Sequence, residues 1–415
     1  MSPNSLSFTV YNEDRLRYTN SNQMYVFSLL WLCLEDQFVK ITCKQQDLSR
    51  GLSVVSHAVS SRSTLPILAN ILLSTDNGRL RLYATNLEIG INCWIDADVH
   101  EEGTTTVPAK LITDLVNSLP QAPVDISVPE DSHTMNVKSL RSSANIKGMD
   151  PSEFPLSPNT EGSDPAIVID AAQLKEMISE VAFAAADDDS RPVLTGVLVQ
   201  VSTGKLTFAA ADAFRLAVRA SSLTDDAVLR NDILIPARTL TELSRILPSE
   251  GSVSMIVTPN RSQVLFHSEN IDLLSRLIEG TFPNFRQIIP KDHTTRAVVE
   301  TKEFAAAVRS VAPFARDSSN IARIKINGGG GAEPGALTIE ATAEDVGDNV
   351  STINAAVDGP EQQIIFNVKY LAEVLAVIDT PEIALEVTSA ARPGVVRPVS
   401  SADYTYVIMP MSTNR

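Results

Sequence analysis

Apolar residues along this chain recur with two alternating periods, and the alternation repeats three times. Val107-Pro108-Ala109-Lys110-Leu111-Ile112-Thr113-Asp114-Leu115-Val116 through Leu119-Pro120 reads as a strand end running into a short amphipathic helix. Leu111, Ile112, Leu115, Val116 and Leu119 form its stripe. Ile235-Pro236-Ala237-Arg238-Thr239-Leu240 through Leu247-Pro248 is a second copy, and Phe366-Asn367-Val368-Lys369-Tyr370-Leu371 through Ile378 is a third. Leu119-Pro120 returns as Leu247-Pro248 and Phe154-Pro155 as Phe282-Pro283, both 128 residues later. The third copy lags slightly, and the run from Gly328 to Gly335 supplies a loop insertion.

Each unit opens on an alternating strand followed by a helix. Val39 to Cys43 precedes Leu48, Leu52, Val55 and Val59 at helical spacing; Ile167 to Ile169 precedes Leu174, Met177, Ile178 and Val181; Ala297 to Glu300 precedes Phe304, Val308 and Val311. Paired strands follow, such as Ile67 to Ser74 with Arg79 to Thr85 around Asp76-Asn77-Gly78, and Val193 to Val201 with Lys205 to Ala209 around Ser202-Thr203-Gly204. Two helices and half a dozen or more locally paired strands per unit predict an α+β fold with the helices on one face of the sheets. The expected units are 38–158, 165–290 and 295–415, with residues 1–37 outside the repeat. Short, proline-bearing links should hold the units at set angles. Such units are either independent beads or an arc that closes on a partner into a ring.

Composition narrows this picture. The net charge of −16 argues against a nucleic-acid partner on its own, but charge is unevenly spread. The six predicted helical segments sum to +3, leaving −19 on the rest of the chain, the kind of split expected of a phosphate-facing layer on an acidic body. Ordinary solvated helix faces would account for the same modest figure. Lys110, Arg238 and Lys369 stand near the starts of the three repeated helices, where the helix dipole favours an acid. Cys33, Cys43 and Cys93 have no metal-site spacing and the five histidines are scattered, so a reducing cytoplasm is expected and neither a metal nor a cofactor. The apolar run Met24 to Leu34 is too short to span a membrane. Acids at Glu13, Asp14, Glu35 and Asp36 make it a poor signal peptide, and Val39 is a candidate for the true translation start. Asp187-Asp188-Asp189 and Glu344-Asp345 with Asp348 could hold Mg²⁺ in a phosphodiesterase, but no phosphate loop or catalytic arrangement accompanies them. A three-domain adaptor that does not bind DNA is the other alternative.

Ser63-Thr64-Leu65-Pro66-Ile67-Leu68-Ala69-Asn70, Ala84-Thr85-Asn86-Leu87-Glu88-Ile89, Ala210-Ala211-Asp212-Ala213-Phe214-Arg215-Leu216, Gly280-Thr281-Phe282-Pro283-Asn284-Phe285 and the tail Tyr406-Val407-Ile408-Met409-Pro410-Met411 together resemble the bacterial beta sliding clamps of DNA polymerase III. The resemblance runs from about residue 38 to the C-terminus. It implies three tandem clamp domains per chain and a head-to-tail homodimer forming a six-domain ring with helices inside. Such a protein is not an enzyme but a cytoplasmic processivity factor of DNA replication. It encircles duplex DNA without sequence preference and docks the polymerase catalytic subunit, the clamp loader and other polymerases and repair proteins through short peptides, with no membrane involved. On that resemblance Lys44, Arg50, Arg62, Lys110, Arg191, Arg238, Arg245 and Lys369 would face DNA. A peptide groove between the second and third domains would be lined by Leu194, Ala213, Phe214, Arg215, Leu216, Pro283, Ile288, Asn367, Tyr370, Arg392, Pro393, Val407, Met409, Pro410 and Met411. Its apolar, methionine-bearing wall suits several related ligands. Phe214 stands where many clamps carry histidine, and Gln287 where some carry arginine. The dimer contact would set Ala144 and Ile146, on an edge strand from Arg141 to Lys147, against Phe314 and Ala315 of the other copy.

Overall fold

The structure is a computed structural model describing residues 39–60, 64–129, 132–155, 167–188, 190–223, 229, 231–328, 334–343, 345 and 347–412. Residues 1–37, Arg62, Asp189 and Glu344 lie outside the described residues.

Each unit follows one plan. In the first, strand Val39–Lys44 leads into helix α1 (Gln45–Ser56). The hairpin of strands Asn70–Asp76 and Arg79–Thr85 turns through Asn77 and Gly78, both at positive φ, as a tight two-residue turn requires. The long strand Ile89–Glu101 and strand Thr104–Pro108 follow, and the latter runs straight into helix α2 (Ala109–Ser118). The second unit repeats this with α3 (Ala171–Val181) and α4 (Ala237–Ile246), the third with α5 (Thr301–Ala315) and α6 (Val368–Val377). The segment before each first hairpin differs from expectation. Pro66–Ala69 and Pro192–Leu194 are single 3-10 turns, because proline fixes φ and offers no N–H to a ladder, so those strands begin later, at Asn70 and Gly196.

The helical stripes bury as their spacing dictates, with one adjustment. Ala109, Ile112 and Val116 of α2 are buried, whereas Leu111 is 52% exposed. At about 100° per residue, Leu111 falls well around the helix from the face that Ala109, Ile112 and Val116 share. The corresponding faces of α4 (Leu240, Leu243, Ile246) and α6 (Leu371, Val374, Leu375) are buried. Helices pack in pairs, α1 on α2, α3 on α4 and α5 on α6. Cys43 and Cys93 serve as packing groups; burial pushes their thiols up to about 12 and about 11, away from the reactive thiolate.

The units are fused by strand pairing rather than merely linked. Ile89 to Cys93 of the first unit pairs antiparallel with Ile271 to Ser275 of the second, making one sheet of twelve strands. Arg215 to Arg219 of the second pairs with Tyr404 to Ile408 of the third, making one of nine. A four-stranded sheet completes the third unit. Ladder hydrogen bonds thus set the inter-unit angles, a feature that hydrophobic periodicity does not encode. Strand Ser142–Lys147 ends the twelve-stranded sheet at one extremity of the chain, and strand Gly347–Asn354 ends the four-stranded sheet near the other.

Candidate functional site

Seven of the eight cations predicted to meet phosphate lie among the described residues. Lys44, Arg50, Lys110, Arg191, Arg238, Arg245 and Lys369 are all exposed, and most lie on the helical layer or at its entry turns. Arg245 is held by Glu242 at 2.8 Å, and Glu242 also reaches His57 at the end of α1, tying the first two units on the helical side. A cleft of about 1080 Å³ runs beside α4, bordered by Arg238, Arg245 and Arg276.

The joint between the second and third units is built around a turn. Asp212 Oδ1 accepts the backbone N–H groups of Phe214 (2.9 Å) and Arg215 (3.1 Å), and Ala213 is forced to φ 87°, a region an L-residue visits at a cost. The turn turns Phe214 outward, 51% exposed, and starts the strand that pairs with the third unit. The Met409 N–H donates to the Phe214 carbonyl at 2.8 Å and closes the ladder. Beneath lies a cluster separate from the main core: Leu194, Leu198, Ala209, Ala211, Leu216, Phe282 and Val407 are its buried floor. Ile288 (40% exposed) and Met409 (37%) join Phe214 as an apolar rim. Ala213, Pro283 and Arg392 are exposed beside it; Asn367, Tyr370, Pro393, Pro410 and Met411 are partly buried. Leu194, Leu216 and Val407 are thus floor rather than contact wall, and Asn367 spends its side chain capping α6 through the Lys369 N–H at 2.9 Å.

Arg215 is a strut at this joint. Only 8% exposed, it donates through Nε to Asp212 Oδ2 (2.9 Å), through Nη2 to the Phe183 carbonyl (2.7 Å) and through Nη1 to Glu373 Oε2. Its guanidinium also lies against the Tyr370 and Phe183 rings, 4.5 and 5.4 Å from their centroids. Burial works against its charge, but the Tyr406 hydroxyl, Glu373 and Asp212 outweigh it, and its pKa is raised. Sequence reasoning missed Asp212, Glu373, Phe183, Ala209 and Phe282 as parts of the site. Only Asp212, an Asx residue three positions before a strand, carried a signal.

The joint between the first two units repeats this frame. Asn86 Oδ1 accepts the N–H groups of Glu88 (2.9 Å) and Ile89 (2.8 Å), Leu87 takes φ 74°, and the Arg276 N–H donates to the Glu88 carbonyl at 2.9 Å. Here the floor is filled. Tyr83, at the position of Ala209, is 4% exposed, packs edge-on to Phe154 at 5.6 Å and lies under Arg81. Gly90, at the position of Leu216, leaves the space that the ring occupies, since a Cβ there would stand 3.1 Å from it. A recess of only about 260 Å³ remains.

At the chain's extremities, Ala144 and Phe314 are partly exposed, but Ile146 (3%) and Ala315 (0%) are buried in their own core; Ala144 and Ile146, two apart on the strand, share its inward face, whereas Ala315 lies about 100° around the helix from Phe314. Leu140, 77% exposed at positive φ beside the edge strand, is the large apolar side chain presented there, and the sequence reading passed over it. Of the acidic clusters, Asp188 is spent on a turn, accepting the Ser190 N–H (2.9 Å) and hydroxyl (2.6 Å), which lowers its pKa. No group of three or more His, Cys, Asp or Glu side chains among the described residues could hold a metal, and no described helix is long and apolar enough to cross a membrane.

Three family profiles match successive parts of the chain: DNA polymerase III beta subunit, N-terminal domain over residues 39–158, central domain over 168–284 and C-terminal domain over 286–412. The beta sliding clamp of a Synechocystis species is 34% identical over 394 residues, covering 90% of this chain and 99% of the relative. That of Bacillus subtilis is 31% identical, covering 90% of this chain and all of the relative. The crystal structure of the Bacillus subtilis sliding clamp superposes with a TM-score of 0.84 at 30% identity, over 90% of this chain and 99% of that one. A Pseudomonas aeruginosa clamp bound to griselimycin gives 0.81 at 26%, over 90% and 99%. The chain belongs to the DNA polymerase III beta subunit family, the bacterial beta sliding clamps.

Proposed function

We propose that two copies of this chain close head to tail around duplex DNA and confer processivity on the replicative polymerase as a cytoplasmic, non-catalytic subunit. The observation that supports this best is that two different sheet-ending strands, Ser142–Lys147 of the first unit and Gly347–Asn354 of the third, lie in the two outer units of the chain. An unpaired edge is a template for another strand, and two different edges on one chain make a heterologous contact that closes when the rotation allows. Ala144, Phe314 and Leu140 flank that seam, with Ile146 and Ala315 supporting it from beneath. The clamp units are 38–158, 165–290 and 295–415, with residues 1–37 outside them.

Inside the ring, Lys44, Arg50, Lys110, Arg191, Arg238, Arg245 and Lys369, with Arg62, grip phosphates without reading bases, so binding is salt-sensitive and mobile. Outside, the rim of Phe214, Ile288 and Met409 over its buried floor docks short peptides of the polymerase catalytic subunit, the clamp loader and other polymerases and repair proteins. Pro283, Arg392, Pro393, Pro410 and Met411 extend the wall. The test is topological. After assembly by its loader on nicked circular duplex, the protein should co-elute with the circle and be released when the circle is cut. Retention on linear DNA equal to that on the circle would defeat the ring reading.

A further inference from the structure

We propose that Glu373 is a positioning residue shared between the docking groove and Lys369, so that engagement of duplex DNA lowers the groove's affinity for acidic peptides. This rests on the groove and DNA readings above. An unbroken series of charged contacts crosses the joint from helix surface to groove rim. Lys369 Nζ stands 3.8 Å from Glu373 Oε1, one turn along α6. The other oxygen of the same carboxylate accepts from Arg215 Nη1. Arg215 Nε is bonded to Asp212 Oδ2, and Asp212 Oδ1 holds the N–H of the rim residue Phe214.

Two carboxylates therefore share one buried guanidinium, and Lys369 is what brings the group to neutrality. That last contact is the weak one: Lys369 is 62% exposed and pairs across one helical turn, whereas the Arg215 side chain is 7% exposed and wedged between rings. An exposed pair of this kind holds only weakly, so a phosphate can draw Lys369 away while Arg215 stays. Glu373 and Asp212 then leave one uncompensated negative charge at the foot of the groove. Partly buried, it is screened less than a surface charge and repels a ligand carboxylate. Linkage makes the effect reciprocal: an acidic peptide loosens the hold of Lys369 on DNA.

The test uses the full-length homodimer, free or closed around nicked circular duplex, titrated with a fluorescein-labelled docking peptide of its own polymerase catalytic subunit. One version carries an acidic residue; the other has that residue as the matching amide. The acidic peptide should bind about threefold more weakly to the DNA-loaded ring, as expected for one charge at several ångströms in a partly screened site, and the amide version equally to both. Lys369→Gln should make the free protein behave like the loaded one. Glu373→Gln should abolish the DNA dependence, and Glu373→Asp should restore part of it, which a merely structural role would not. Equal affinity of the acidic peptide for free and loaded wild-type protein overturns the proposal, as does a full DNA response in Lys369→Gln. Peptide binding indifferent to Phe214→Ala would instead remove the groove reading.

Discussion

The two joints within this chain share a backbone and differ in what fills them. At both, an Asx turn drives a non-glycine residue to positive φ (Leu87, Ala213) and the next strand crosses into the neighbouring unit. At the first joint Tyr83 plugs the space that Gly90 leaves open; at the second, Ala209 and Leu216 leave a shallow floor under an exposed rim. The rim itself changes from Glu88 and Arg276 to Phe214 and Met409. On the docking reading proposed above, a duplicated joint becomes a docking site by withholding one aromatic ring and turning another outward. The fold is indifferent to that choice, and the ligand is not.

The largest effect should come from moving the plug. The double variant Ala209→Tyr, Leu216→Gly reproduces the Tyr83 and Gly90 arrangement at the second joint, with glycine supplying the room that a lone tyrosine would lack. It should remain a folded dimer by sedimentation yet bind docking peptide about a hundredfold more weakly or worse, the cost of losing a central pocket. Wild-type affinity in a folded double variant would show that the floor does not matter. The converse change, Tyr83→Ala, empties a filled joint. Loss of a buried ring with its Phe154 and Arg81 contacts should cost about 3–5 kcal/mol in denaturant unfolding, while peptide affinity at the other joint stays within about twofold.

The smallest effect is a pH dependence confined to the second joint. Glu180 of α3 faces Arg219 across 2.7 Å in an ionic contact without a directed hydrogen bond, with Glu176 nearby, and its backbone carbonyl accepts the Tyr404 hydroxyl. Burial, opposed by Arg219, pushes its pKa from 4.5 up to about 7. The folded chain thus holds this proton more tightly than the unfolded chain does. That stabilisation is fully present below about pH 4.5 and is lost as pH rises through about 7. Glu180→Gln should therefore raise the thermal midpoint by about 2 °C at pH 8 and leave it unchanged below about pH 4.5. A gain of the same size at both pH values would place the effect outside this titration.

Helices α2, α4 and α6, the hairpin turn at Asn77-Gly78 and the threefold repeat were legible in the sequence because local periodicity and turn chemistry encode them. The fused sheets were not, since nothing in Ile89 to Cys93 names Ile271 to Ser275 as its partner. The resemblance brought together Phe214, Arg215, Leu216, Val407 and Met409, but it could not distinguish rim from floor. Leu216 and Val407 are each 1% exposed, while Phe214, two residues from Leu216, is 51% exposed. Arg215 looked like a groove contact and is a buried strut, because Glu373 arrives from a helix more than a hundred residues away.

The strand pairing that welds the three units has a mechanical consequence. Bending the chain at either joint would shear an antiparallel ladder and expose backbone groups, whereas parting two copies breaks only the seam between their edges. Each copy should behave as a stiff arc, and a force applied anywhere along it is delivered to its ends. A loader that pries on one face would therefore open the assembly at a seam between copies, with neither arc hinging, and the closed form would need no latch beyond those two seams.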